Sequence, residues 1–128
     1  MKAISIKQPW ASLIAHGIKD IENRTWKCPN EYIGQRVLIH TSQRSAGWRE
    51  TPLNFRQRDI VSQQGFSFDN LPTSAIIGSV IIAGCVKEHS SDWAEYGCWN
   101  WILKDAVLFE KPIENVKGKL GLWDFNLI

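Results

Sequence analysis

Cysteine is scarce and unsuited to stapling the chain. Cys28, Cys85 and Cys98 form an odd set with no CxxC pair, which argues against a disulfide framework and a zinc ribbon and fits reduced thiols. Histidine is equally sparse: His16, His40 and His89 show no HxH or HExxH spacing, so neither a metal site nor a cofactor is expected. Charge of one sign is not in excess, and a net of +2 does not by itself demand a polyanionic partner. Long apolar runs are missing too. The longest, Ala75 to Val86, falls well short of the ~20 residues a membrane helix needs. Met1 to Ile4 opens no apolar run of signal length, so no membrane partner is expected and the cytoplasm is the expected location. No internal repeat or low-complexity segment appears.

What remains is ordinary globular material: 128 residues, 44% apolar and 22% charged. A domain of this size buries roughly two-thirds of its unfolded surface, enough for one core without staples. A single domain over residues 1–128 is expected, with a monomer the favoured oligomeric state.

The local patterns alternate strands with few helices. Lys2 to Lys7 reads as a half-buried strand. Pro9 suits a first helical turn, Trp10, Leu13 and Ile14 fall at helical spacing, and Gly17 supplies a left-handed stop after His16. Asp20 to Trp26 returns to a period of two, with Glu22, Arg24 and Trp26 on one face. Arg36 to Thr41 reads as a strand. Ser42 to about Gln64 reads as a helical excursion broken near Pro52, with Leu53, Arg56, Ile60 and Gln64 along a weakly apolar stripe. Gly65 to Thr73 is a loop. Ala75 to Val86 is a long strand interrupted by Gly78 and Gly84, as barrels use to bend. Ser90 to Gly97 is a loop or single turn, Cys98 to Leu103 and Val107 to Phe109 are strands, and Leu120 to Leu127 closes the chain. About six strands with an N-terminal helix and a central helical insertion indicate an α+β class, a mixed, partly closed β-barrel.

The densest signal is Gly17-Ile18-Lys19-Asp20-Ile21-Glu22-Asn23-Arg24. Within a strand Glu22 and Arg24 share a face about 7 Å apart, whereas Lys19 must reach them from the turn that Gly17 permits. Arginine offers a planar fork for phosphate or a base edge and lysine a movable point charge, a combination suited to an anion or nucleotide. The bland alternative is a structural Glu22–Arg24 ion pair on a barrel rim with Lys19 solvated. A binding role predicts that Lys19→Ala and Arg24→Ala weaken nucleotide binding and its salt dependence.

Ser5-Ile6-Lys7-Gln8-Pro9-Trp10-Ala11, Gly17-x-Lys19-x-x-Glu22-Asn23-Arg24-Thr25-Trp26, Leu38-Ile39-His40 and Gly118-x-Leu120-Gly121-Leu122-Trp123 together resemble the ASCH domain over nearly the whole chain. The resemblance implies a PUA-like barrel with a cleft beside the first helix where the GxKxxExR residues gather. It also implies a module that binds RNA, a nucleotide or a modified nucleoside. Some small bacterial members hydrolyse RNA or deacetylate modified cytidine. Such deacetylating relatives carry a threonine where Glu22 stands here, and a glutamate in the loop after the long strand, where Glu95 is the nearest candidate. A hydrolase would therefore rest on Lys19, Glu22 and Glu95, with Glu22 as a general base toward water. A protein-interaction module is the third possibility.

Seven tryptophans, Trp48 among them, exceed what such a core ordinarily needs. Trp99 and Trp101 read as core or core-edge. Trp10 packs by its spacing, while the resemblance also places its turn at the cleft wall. Trp26 and Trp93 are candidates for base stacking, worth ~1 to 3 kcal/mol per base, or else cover the barrel end. His40 is either a ligand contact beside the cleft or a satisfied structural histidine. Arg36, Arg44, Arg49, Arg56 and Arg58 make the central third arginine-rich, either as a solvated face or as a path for a phosphate backbone.

Overall fold

The computed structural model describes residues 1–45 and 53–127, with Arg44 and Ser45 described by backbone alone. Trp48, Arg49, Glu50 and Pro52 lie outside the described residues. The strands are β1 (Lys2–Gln8), β2 (Ile21–Arg24), β3 (Arg36–Ser45), β4 (Ala75–Val86), β5 (Trp99–Ile113) and β6 (Leu122–Asp124), with helices α1 (Trp10–Ala15) and α2 (Phe55–Gln63) and a 3-10 turn at Asn30–Tyr32. They form one mixed sheet in the order β2-β5-β4-β3-β1-β6. β1 and β3 run parallel, Ile4 beside Ile39, and the other pairs are antiparallel. The sheet curls into the partly closed barrel that the pattern implies, with the PUA-like form that the resemblance implies.

Alternation fills its inside. Ile4, Ile6, Val37, Ile39, Ile77, Val80, Ile82 and Trp101 bury inward with Ala11 and Ile14 of α1. A second cluster, Leu13, Ile21, Leu53, Val61 and Trp93, joins α1 to α2 and the 91–95 loop.

Two segments differ from the sequence reading. The helical excursion expected from Ser42 is strand as far as Ser45, because β1 pairs along it to Gln8↔Ser45 and β4 to Thr41↔Ala75. Pairing with β1 on one side, continuing from a stretch paired on both, overrides the polar composition of Ser42-Gln43-Arg44. α2 starts only at Phe55, behind an Asn54–Gln57 capping box. Val61 and Leu53 face the core, while Arg56 is exposed and paired to Asp92 at 2.7 Å. The two short strands expected over 98–103 and 107–109 are the single strand β5. Opposite Ser79–Ile81 it carries an extra residue, between Val107 and Lys104, and Asp105 adopts a left-handed φ of 52°. A bulge bends the strand there without ending the ladder.

Candidate functional site

The site begins at the ends of α1. Pro9 caps the helix with no side-chain bond, and the buried Gln8 takes that role: its Oε1 accepts from Ser12 N at 2.9 Å, and its Nε2 donates to Ser12 Oγ at 2.7 Å and to Pro72 O at 2.9 Å. At the other end Gly17, with φ 75°, closes a Schellman turn in which Ile18 N bonds Leu13 O and Gly17 N bonds Ile14 O. Lys19 N also reaches Leu13 O at 3.0 Å. That second bond fixes where the Lys19 side chain starts, and only a residue tolerant of positive φ permits the turn.

Lys19 turns inward to 5% exposure. Its Nζ donates to Ile21 O, lies 3.8 Å from Glu22 Oε1 and stands 5.5 Å from the centre of the Trp10 ring. Burial pushes its ammonium below the ordinary lysine value, outweighing the opposite pull of Glu22, Glu95 and Asp20. Glu22 is 8% exposed. Its Oε2 accepts from Arg24 Nε at 3.0 Å and lies 2.8 Å from Arg24 Nη2, which also donates to Ser5 O at 2.8 Å. Lys19, Glu22 and Arg24 therefore meet, paired more fully than a solvated rim would require.

The Ser5 contact explains why there is a cleft. β2 stands at one edge of the sheet and β1 next to the other, so Arg24 spans the seam where the barrel fails to close. A cleft of about 620 Å³ lies along that seam, a volume suited to a nucleotide-sized ligand. Ser5 to Lys7 of β1 and Ser42 of β3 line it with Glu22 to Trp26 at β2, Trp10 and Lys19 at the ends of α1, and Asn54, Gln57 and Asp92 to Glu95. Its ionic side chains balance, with Lys7, Lys19 and Arg24 against Glu22, Asp92 and Glu95.

The far wall is held by groups that the sequence reading did not single out. Asn23 Nδ2 donates to Trp93 O at 2.9 Å, while its Oδ1 accepts from Glu95 N at 3.0 Å and from Asn100 Nδ2 at 2.8 Å. Asn100 is fully buried and also accepts from His89 N. On the α2 side Gln57 Nε2 donates to Asp92 O at 2.6 Å. Asn23 lies between the two charged residues of the motif, the one available hint. Among the described residues no group of three or more His, Cys, Asp or Glu could hold a metal ion, and no helix is long and apolar enough to cross a membrane.

The sequence profile of the ASCH domain matches residues 4–115. The chain belongs to the ASCH domain family. Activating signal cointegrator 1 of Homo sapiens is 28% identical over 86 residues, 66% of this chain but 14% of that protein, and its Mus musculus counterpart is 29% identical over the same share. The chain thus spans about one seventh of the length of these curated relatives. The crystal structure of ASCH from Zymomonas mobilis superposes with a TM-score of 0.62 over 98% of this chain and 87% of that one, at 14% identity. A tyrosine-to-phenylalanine mutant of the same Zymomonas mobilis protein gives 0.59 over 98% and 90%, at 15% identity. These structures show a shared ASCH fold.

On that fold the expected site residues separate into two places. Trp10, Lys19, Glu22, Arg24, Trp26, Trp93 and Glu95 all line the seam cleft, and His40 does not. His40 sits within β3 at 1% exposure, where its Nε2 bonds Val116 O at 2.7 Å and its Nδ1 meets Ser5 Oγ at 2.9 Å. Both ring nitrogens are thus partnered within the protein. Trp93, 5% exposed and edge-on to Trp10 at 6.4 Å, leaves little ring for stacking. Trp26 is half-buried, edge-on to Trp101 at 4.8 Å, and is the better placed of the two.

Proposed function

We propose that this ASCH domain binds RNA by admitting one base or nucleoside into the seam cleft. The carrying observation is the ion-paired group Lys19, Glu22 and Arg24, held in place in a cleft that Trp10 and Trp26 also line and whose six ionic side chains balance. Donors and acceptors that are already oriented, with no net charge, suit the polar edges of a neutral ring better than a bare phosphate. Family membership supports the RNA assignment. Calorimetric titration with the four ribonucleosides, N4-acetylcytidine and short RNAs tests it. Trp26→Ala and Glu22→Gln are expected to weaken binding of the preferred nucleoside roughly 5-fold or more, the lower end of a lost stacking or hydrogen-bonding contact. No binding by any of these ligands, or equal affinity in both variants, refutes the proposal.

Hydrolysis is the second possibility. Lys19, Glu22 and Glu95 line the same cleft and burial moves Lys19 toward its neutral form, which favours a base. Glu22, held by Arg24, is poorly free to activate water. Release of acetate and cytidine from N4-acetylcytidine, or RNA cleavage, would establish turnover; its absence across pH leaves a binding module.

A further inference from the structure

A second groove, of about 570 Å³, lies on the other side of Ser5 and Ser42, and these two serines line both cavities. Its character is opposite to that of the seam cleft. Lys117 and Lys119 stand on its wall with Gln43, Ser74 and Asn115, and no carboxylate is among its lining residues. Both lysines are exposed, and neither makes an ion pair among the described residues. The seam cleft balances its charges and the groove carries two uncompensated ones.

The strap that carries these lysines is fixed to the barrel. Gly118 lies so close that a Cβ there would come 2.6 Å from His40 Cε1 and 2.7 Å from Ser5 Oγ. A carbonyl only accepts, so His40 Nε2 donates to Val116 O, its Nδ1 is hydrogen-bonded to Ser5 Oγ, and Ser5 Oγ also donates to Lys119 O at 3.4 Å. Trp123 Nε1 donates to Ser5 Oγ at 3.1 Å, and Val116 N bonds Ser74 O at 2.8 Å. Ser74 and Asn115, with φ 52° and 58°, hold left-handed backbone on the groove wall. Lys117 and Lys119 are two residues apart, at most about 7 Å between Cα atoms, so their flexible stems can meet successive phosphates of one strand.

We infer that the ligand is a single strand of RNA that continues from the seam cleft across Ser5 and Ser42 into this groove, where Lys117 and Lys119 neutralise its phosphates. The inference rests on the proposed binding of a base in the cleft. It divides the labour: the balanced cleft takes a neutral ring, and the cationic groove takes the charged backbone.

Fluorescence anisotropy with a labelled mixed-sequence RNA octamer, over a series of salt concentrations, tests it beside calorimetry with the preferred nucleoside. The double variant Lys117→Ala/Lys119→Ala is expected to bind the octamer about 10-fold more weakly at low salt. Its log–log salt slope is expected to be shallower by about 1.4, two phosphates at roughly 0.7 each for a single strand. Its nucleoside affinity is expected to be unchanged. An octamer affinity and slope equal to wild type, with nucleoside binding intact, overturns the strand path alone. Loss of nucleoside binding in the double variant also overturns it, since the two cavities would then not act separately. A wild-type protein that binds neither ligand overturns the base-binding proposal and this inference with it.

Discussion

Arg24 is the side chain that ties the two sides of the open barrel, and removing it isolates that role. Arg24→Met keeps an unbranched apolar stem while deleting both contacts to Glu22 and the bond to Ser5 O. Taking one partner from a buried pair costs about 3 to 5 kcal/mol. The lower end applies here, since Arg24 is 22% exposed at its side chain and Lys19 remains 3.8 Å from Glu22. A lost bond to the Ser5 carbonyl adds about 1 kcal/mol at most, because water can enter the cleft. A total near 3.5 kcal/mol is a large share of the ~5 to 15 kcal/mol by which domains are stable. With an unfolding entropy of roughly 2.1 cal/mol/K per residue, about 0.27 kcal/mol/K for this chain, the melting midpoint falls by ~13 °C. Urea denaturation of wild type, Glu22→Gln, Arg24→Met and the double variant completes a cycle, with an expected coupling of about 2 kcal/mol between the two sites. Arg24→Lys should recover little, because one ammonium cannot reproduce a fork that spans Glu22 and Ser5. An Arg24→Met variant within about 1 kcal/mol of wild type, with coupling under about 0.5 kcal/mol, would refute the latch and return these charges to a solvated rim.

Lys19 gives a pH signature. Its folded pKa lies below 10.5, so in the interval between its folded value and 10.5 the unfolded chain holds more protons and the stability it contributes rises with pH. Urea midpoints of wild type and Lys19→Met from about neutral pH to about pH 10 should therefore diverge in favour of wild type as pH rises; a constant or narrowing difference contradicts the burial. The difference also cancels the buried Cys28 thiol, which burial pushes up to about 11 and which acts in the opposite sense above 9.0. Gly78 and Gly84 form a matched pair on β4. A Cβ at Gly78 would overlap the Val107 carbonyl oxygen, whereas one at Gly84 meets only Ile102 Cδ1 at 3.4 Å. Gly78→Ala should cost about 3 kcal/mol and Gly84→Ala less than about 1 kcal/mol in the same assay; equal effects would contradict the close approach of β4 and β5.

The parts legible in the sequence were those with a local cause. The period of two in Lys2 to Lys7 and the β-branched run Ala75 to Val86 located β1 and β4, and Gly17 marked the end of α1. The alternation from Asp20 to Trp26 placed Glu22 and Arg24 on a shared face, where they pair. What was illegible depended on distant partners. Ser42 to Ser45 is strand because β1 pairs along β3 as far as Ser45, beyond the last β4 pair at Thr41, and nothing in its composition records that. β5 spans a polar Lys104-Asp105 step because a bulge accommodates it. His40 neighbours the cleft residues in the fold yet faces Val116 and Ser5, a choice of side set by the register of β3. Asn23 alternates with Glu22 and Arg24 along β2, and its amide reaches Trp93 and Glu95 to hold the opposite wall.

The pairing within the motif changes what its charges can do. From the sequence, Lys19 and Arg24 were the cations that would meet phosphate. In the structure Lys19 is buried against Ile21 O and Glu22, and Arg24 directs Nε and Nη2 at Glu22 and Ser5. A cation already paired with a carboxylate releases few counterions when a ligand binds, so it adds little to salt dependence. The fixed offsets of the motif then have a mainly geometric cause. The Gly17 turn delivers Lys19, and the strand pleat delivers Glu22 and Arg24, to the gap that a partly closed barrel cannot fill with backbone hydrogen bonds. An unclosed seam exposes strand edges to water and to other chains. Arg24 covers it with one long side chain, and leaves beside itself a cleft whose polar atoms are already oriented. In the proposed mode of binding, recognition and barrel closure draw on the same three residues, whereas attraction of a charged backbone falls to lysines outside the motif.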